Sequence, residues 1–191
     1  MRPGRVRVDR KARRAIAAHR NAASIFDSVA REIEIGRLRL EPFAVDQVGA
    51  ASIDLHLGTG LRVPIENGNT PIEVTDDAVA DLATRLIAFD EPYLLAPGQT
   101  VHGITRERIF LPPDICGWLE GRSRIARLGL TVHVTSGFIQ PGVSNHQVLE
   151  MSNVSGRMLR IHPGIRICQI VLQRCEGEAI YRGQFASQNA P

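Results

Sequence analysis

The sequence predicts a mainly β domain, a distorted barrel or jelly-roll sandwich of short strands with one short helix near the N-terminal end. Three observations carry this. From Val48 onward the chain falls into β-branched or alternating runs, cut by Pro and Gly at the spacing of all-β folds. These runs do not alternate with helices, which disfavours a doubly wound parallel sheet. The 191 residues, 43% hydrophobic and 23% charged, suffice for one compact core, and no second full domain is expected.

Residues 1–23 form a basic arm: the first twenty hold eight basic side chains against Asp9 alone, so the net charge of +3 is a +7 arm on a −4 remainder. Such an arm attracts anionic surfaces, but no stacking aromatics are interleaved, and we read it as a solvated, partly helical tail rather than a nucleic-acid site. Next, SIFDSVAREIEIGRL reads as an amphipathic helix capped by Ser24 or Asp27. Ile25, Val29 and Ile33 share its face, and Gly36 stops it. The strand-bearing runs are VGAASIDLHLGTGLRV, PYLLAPGQTVHGITRERIFL, GLTVHVTSGFI, HQVLEMSNV and MLRIHPGIRICQIVLQRC. VTDDAVADLATRLIAF interrupts them as a helical insertion. Residues 24–191 are expected to form one domain, without internal repeats.

Composition narrows the classes of function. No apolar run approaches the ~20 residues that cross a bilayer, and the Arg-rich start lacks the apolar stretch of a secretory signal, so a cytoplasmic protein is expected. Cys116, Cys168 and Cys175 are odd in number, form no CxxC pair and lie in or beside apolar runs, which indicates neither a disulfide framework nor a zinc site.

The chemistry-bearing residues lie between Gly121 and Gln169. In GRSR, Gly121 lets the backbone approach an anion, Ser123 adds a hydroxyl, and Arg122, Arg124 and Arg127 offer guanidinium forks for phosphate oxygens. Taken alone, such a cluster also reads as a surface ion-pair patch. Glu150, in HQVLEMSN, lies on a strand that Val148 and Met151 mark as half-buried, where a carboxylate serves as an acid/base group or as an ordinary ion-paired strand residue. His133, between Val132 and Val134, reads either as a pocket residue or as a core histidine. Zinc-dependent base deamination needs HxE with a later PCxxC, and neither is present.

In order and spacing, GRSRIARLGL, SGFIQPG, VLEMSN and HPGIRICQ resemble successive motifs of the deoxycytidine triphosphate deaminases, members of the deoxyuridine triphosphatase-like superfamily. The resemblance covers roughly residues 24–187, with ASIDLHLG similar to an early strand motif in which Ser52 and Asp54 are structural. It implies the β-clip fold of that superfamily, a homotrimer, and metal-independent hydrolysis of a cytosine nucleotide, dCTP to dUTP and ammonia, with Mg2+ accompanying the triphosphate. It implies Arg122 and Ser123 on the triphosphate, Ser123 and Arg127 on the water and base, and Glu150 as the acid/base group. His133, Val134, Thr135 and Ser136 would surround the pyrimidine. AIYRGQ resembles the closing KYRxQ segment, so Tyr181 and Gln184 would fold over the phosphates.

Three positions depart from the family pattern. Gln140 stands where IDPG has the aspartate that receives the deoxyribose 3′-hydroxyl, and an amide hydrogen-bonds that group but cannot act as a base. Arg124 replaces the second serine of GRSS, and Ile180 replaces the lysine of KYRxQ after a shortened loop. Arg124 offers a charge in place of the lost lysine. Two alternatives accompany the deaminase: a dUTP diphosphatase, alone or combined with deamination, which Gln140 disfavours, and a catalytically silent nucleotide-binding relative.

Overall fold

A computed structural model describes residues 25–65, 71–75, 84–132, 135–186 and 188–191. The basic arm, Ser24, residues 76–83 of the expected insertion, His133 and Val134 lie outside the described residues. Among the described residues the fold is mainly β, as the sequence predicts. A curled nine-stranded sheet holds β1 (Arg39–Glu41), β2 (Ile53–Pro64), β3 (Thr84–Ala88), β5 (Thr100–Phe110), β6 (Ile115–Gly121), β7 (Leu130–Val132), β8 (Phe138–Ile139), β9 (Ser144–Asn153) and β11 (Arg166–Arg174). The main path runs β7-β9-β5-β2-β11-β6-β8, with β1 on β5 and β3 on β2. A separate pair joins β4 (Tyr93–Leu95) to β10 (Leu159–Ile161). No described helix is long and apolar enough to cross a membrane.

Alternation along the strands builds the core. Ile53, Leu55, Leu57, Leu61 and Val63 of β2 point inward, beside Val101 and Ile109 of β5, Leu149 and Met151 of β9, and Ile167 and Ile170 of β11. Leu55, Leu57, Leu149 and Met151 are fully buried, and each such side chain contributes about 1.5–3 kcal/mol of transfer free energy. Among the described residues two buried positions are charged, Glu32 and, with no exposure at all, Glu107. Glu107 accepts from the His56 backbone N–H at 2.8 Å, Gln47 Nε2 at 3.1 Å and Arg106 Nη2 at 3.1 Å, with His56 Nδ1 at 2.6 Å. These partners satisfy a carboxylate that would be costly to bury bare, and they tie a one-turn 3-10 helix at Val45–Gln47 to β2 and β5.

The N-terminal helix α1 runs Ile25–Glu34. Ile33 enters the core with Val29 packed against it, as expected, and Gly36 stops the helix at φ +77, a conformation glycine adopts without a Cβ penalty. Because the helix begins at Ile25, Asp27 falls inside its first turn rather than at its cap.

Three differences from the sequence reading stand out. The expected helix over 74–89 is not found among its described residues: Val74, Thr75 and Phe89 are irregular, and Thr84–Ala88 is a strand paired with β2, Ile87 opposite Leu61, so tertiary pairing overrides local helix-forming residues. GLTVHVTSGFI is not one strand. Its ends pair differently, β7 with β9 and β8 with β6, and Thr135–Gly137 bridge towards β8. ICGWLEG, not expected as an element, is strand β6, between β11 and β8 and paired to β11 over seven positions; its glycines interrupt the apolar run and conceal the alternation.

Candidate active site

Glu150 lies on β9, between β7 and β5. Leu149 and Met151 point into the core, so Glu150 faces the opposite side with Val148 and Ser152, half-buried as expected. The Thr135 hydroxyl donates to Glu150 Oε2. The structure thus brings the candidate acid/base carboxylate into contact with the segment expected to read the base. A cleft of about 460 Å³ opens on that segment, lined by Thr135, Ser136, Gly137, Phe138, Trp118, Leu119 and Glu120. The Trp118 and Phe138 rings form its wall, tilted, with centroids 5.4 Å apart.

The arginine–serine cluster sits elsewhere. GRSR is not a turn but the start of a one-turn helix, α2 (Ser123–Ala126), with Arg122 extended ahead of it. Ser123, Arg124 and Arg127 are exposed and make no side-chain hydrogen bond or ion pair among the described residues. Arg122 differs. Its Nη2 stands 3.1 Å from Asp54 Oδ2 and its Nη1 donates to the Arg166 carbonyl at 3.3 Å, while Arg166 reaches the same Asp54 carboxylate at 3.6 Å. Asp54 of the early strand motif therefore fixes Arg122. That orienting role was not expected, although ASIDLHLG carried its signal. Ser52 is structural as expected, donating to Gln169 Oε1 at 2.7 Å.

Register measures the separation of the two groups. Leu130 lies opposite Asn153, and the Val154 N–H donates to the Gly129 carbonyl at 2.9 Å. The α2 end of this segment therefore lies beyond Asn153, at least three strand residues, about 10 Å, from Glu150. Within one chain this register holds Arg127 away from Glu150, and Ser123 makes no hydrogen bond to Glu150.

The closing segment lies against its own chain. Ala179 N–H donates to the Pro113 carbonyl at 2.8 Å and Tyr181 N–H to the Pro141 carbonyl at 3.0 Å. Gly142, at φ +71, accepts this approach: a Cβ there would meet Ile180 Cα at 3.0 Å. Ile180, one departure from the family pattern, thus lies against Gly142, two residues after the other, Gln140. Further on, Asn145 Nδ2 donates to the Phe185 carbonyl at 2.7 Å, His146 N–H to the Gln188 carbonyl at 3.1 Å, and Arg62 Nε to the Pro191 carbonyl. Tyr181 is half-buried and Gln184 exposed.

The cysteines are free thiols. Burial pushes the Cys168 thiol far up, with the Glu107 and Asp54 carboxylates adding to it, and burial raises Cys116 as well. Neither is a nucleophile in the fold.

Comparison with known proteins gives one family. The family model described as dCTP deaminase-like matches residues 26–175. The "dCTP deaminase, dUMP-forming" of Parafrankia sp. (strain EAN1pec) is 41% identical over 171 residues, covering 84% of this chain and 83% of that protein. The protein of the same name from Streptomyces avermitilis is 40% identical over 169 residues, covering 84% and 87%. Among solved structures, 2′-deoxycytidine 5′-triphosphate deaminase from Agrobacterium tumefaciens superposes with a TM-score of 0.60 at 20% identity, over 78% of this chain. This chain spans 47% of that solved chain, and the likeness is one of fold.

Proposed function

We propose, since this chain belongs to the dCTP deaminase-like family, that it hydrolyses the exocyclic C–N bond of dCTP with Glu150 as the acid/base group. Its class, a hydrolase of C–N bonds, comes with the family. The observation that carries the reading is the Thr135–Glu150 contact. It occupies Oε2 and leaves Oε1 to take a proton from water as the water attacks C4 of the pyrimidine. Glu150 passes this proton to N3, then takes the second from the C4 hydroxyl and gives it to the departing amine as the C4 carbonyl forms, so dCTP and water give the uracil nucleotide and ammonia. Cytosine has no carboxylate of its own at C4, and one protein carboxylate suffices for both transfers. Thr135 and Ser136, in this reading, line the base pocket with His133 and Val134.

The phosphates require cations. Arg124 and Arg127, uncommitted to described partners, and Ser123 supply donors for triphosphate oxygens, with Arg122 positioned by Asp54. Magnesium enters with the triphosphate as part of the substrate. Because the register holds Arg127 away from Glu150 in one chain, we read the working enzyme as a homo-oligomer, the trimer that the sequence resemblance implies, in which a second copy completes the site. A nucleotide triphosphate substrate is consistent with a cytoplasmic enzyme.

The end product is the finer point. Gln140 supports dUTP, because an amide cannot activate water against phosphorus. The second reading, continuation to dUMP with release of diphosphate, is favoured by the printed names of the relatives. A panel of cytosine and uracil nucleotides, assayed separately for ammonia and diphosphate, decides between them. Ammonia from dCTP without diphosphate supports the first and both together the second, while neither from any nucleotide removes the enzymatic reading.

A further inference from the structure

Glu150 does not stand alone on its face of the sheet. Register sets His102 of β5 directly opposite Glu150 of β9, and Arg62 of β2 directly opposite His102. Opposed residues of antiparallel strands share a face, with Cβ atoms about 4.5–5.5 Å apart. Arg62, His102 and Glu150 therefore form one row across three strands. The adjacent rung shows that side chains on this face meet: Thr100 Oγ1 and Ser152 Oγ are 2.7 Å apart. His102 is half-buried, as Glu150 is.

The opposite face holds these strands rigidly. Leu57, Leu149 and Met151 are fully buried beneath the row, and a Cβ at Gly103 would come within 2.7 Å of Leu57 Cδ1 and 2.8 Å of Met151 Cε. The partners of the row are also distributed. Thr135 occupies Glu150 Oε2, and Arg62 Nε is turned to the Pro191 carbonyl. His102 makes no side-chain hydrogen bond among the described residues. Its neighbouring strands place two charged groups beside it, Arg62 from β2 and Glu150 from β9.

We propose that His102 is a positioning residue for the reaction: from its place opposite Glu150 the ring turns, when substrate binds, so that an N–H donates to Glu150 Oε1 and orients the carboxylate towards the water. Together with Thr135 it clamps the carboxylate from two sides, so that proton transfer starts from one orientation instead of several. This rests on Glu150 being the acid/base group. In this role His102 acts through Glu150.

The test compares His102→Leu, His102→Gln and Glu150→Gln, with kcat and KM for dCTP measured across pH. His102→Leu is expected to lower kcat about ten- to hundredfold, the range of a hydrogen bond to a charged group, with KM within threefold. The acidic limb of its kcat/KM profile moves to higher pH, because a carboxylate that loses a donor is easier to protonate. His102→Gln, which keeps an N–H donor on the same rung, restores most of kcat and returns the limb towards the parent. A parental profile in His102→Leu overturns the proposal. So does equal loss in both variants with raised KM, which would mark a packing role. If Glu150→Gln is inactive while His102→Leu is parental, the His102 inference alone fails; if Glu150→Gln still turns over, the reading of the site fails with it.

Discussion

Substituting Gly103 by alanine tests the packing that sets the proposed acid/base group in place. The added Cβ would lie 2.7 Å from Leu57 Cδ1 and 2.8 Å from Met151 Cε, against the 3.5–4.0 Å of ordinary carbon contacts, so about 0.7–1.3 Å must be recovered on each side. Both neighbours end in flexible side chains, yet both are fully buried and have no open space to enter. Overpacking of this kind costs about 1–3 kcal/mol. For a chain of this length each kcal/mol lowers Tm by about 2–4 °C, so a fall of about 2–12 °C is expected by thermal denaturation. Met151 and Gly103 share the strained volume, so Gly103→Ala combined with Met151→Ala should cost less than the two single changes added together. Because Met151 adjoins Glu150 and Gly103 adjoins His102, the single change should also reduce kcat severalfold. A Tm within 1 °C of the parent, or strict additivity in the double variant, would refute the packing argument.

Other outcomes are equally specific. Glu150→Gln should reduce ammonia release at least a hundredfold while nucleotide affinity, read by calorimetry, stays within a few-fold, because the amide keeps shape but shuttles no proton. Gln140→Asp with Ile180→Lys should raise kcat/KM for dCTP, with CTP assayed beside it; an unchanged or lower ratio would mean that these positions serve another substrate. At pH 8 a thiol reagent should label Cys175 quickly and Cys116 and Cys168 only after unfolding, since burial holds the latter two protonated. Removing residues 1–20, whose charges lie outside the strand pattern, should leave the oligomer unchanged by light scattering.

Much of this arrangement was legible in the sequence, for reasons that differ by residue. Alternation located β2, β5, β9 and β11 because each buries one face, and it placed Glu150 on a half-buried strand. The helix stop at Gly36 was legible because positive φ selects glycine. β6 was not, since Gly117 and Gly121 interrupt its apolar run, nor was β3, whose pairing to β2 outweighs its local preference. The family resemblance set Ser123, Arg127 and Glu150 in one site but carried no distance, and the register of β7 on β9 holds Arg127 away from Glu150 within a chain. His102 sits in an ordinary strand run, and only the pairing of β5 with β9 sets it opposite Glu150. The ties of Glu107 to Gln47 and His56 span 60 and 51 positions, beyond the reach of local patterns.

The central claim is that this site removes the amine from dCTP through Glu150. Its most direct test is ammonia release from dCTP by the parent chain and by Glu150→Gln at equal concentration, with diphosphate followed in the same reaction. The parent should release ammonia in proportion to the dCTP consumed, and the variant none above background. Ammonia release undiminished in Glu150→Gln, or diphosphate from dUTP with no ammonia from any cytosine nucleotide, would contradict it.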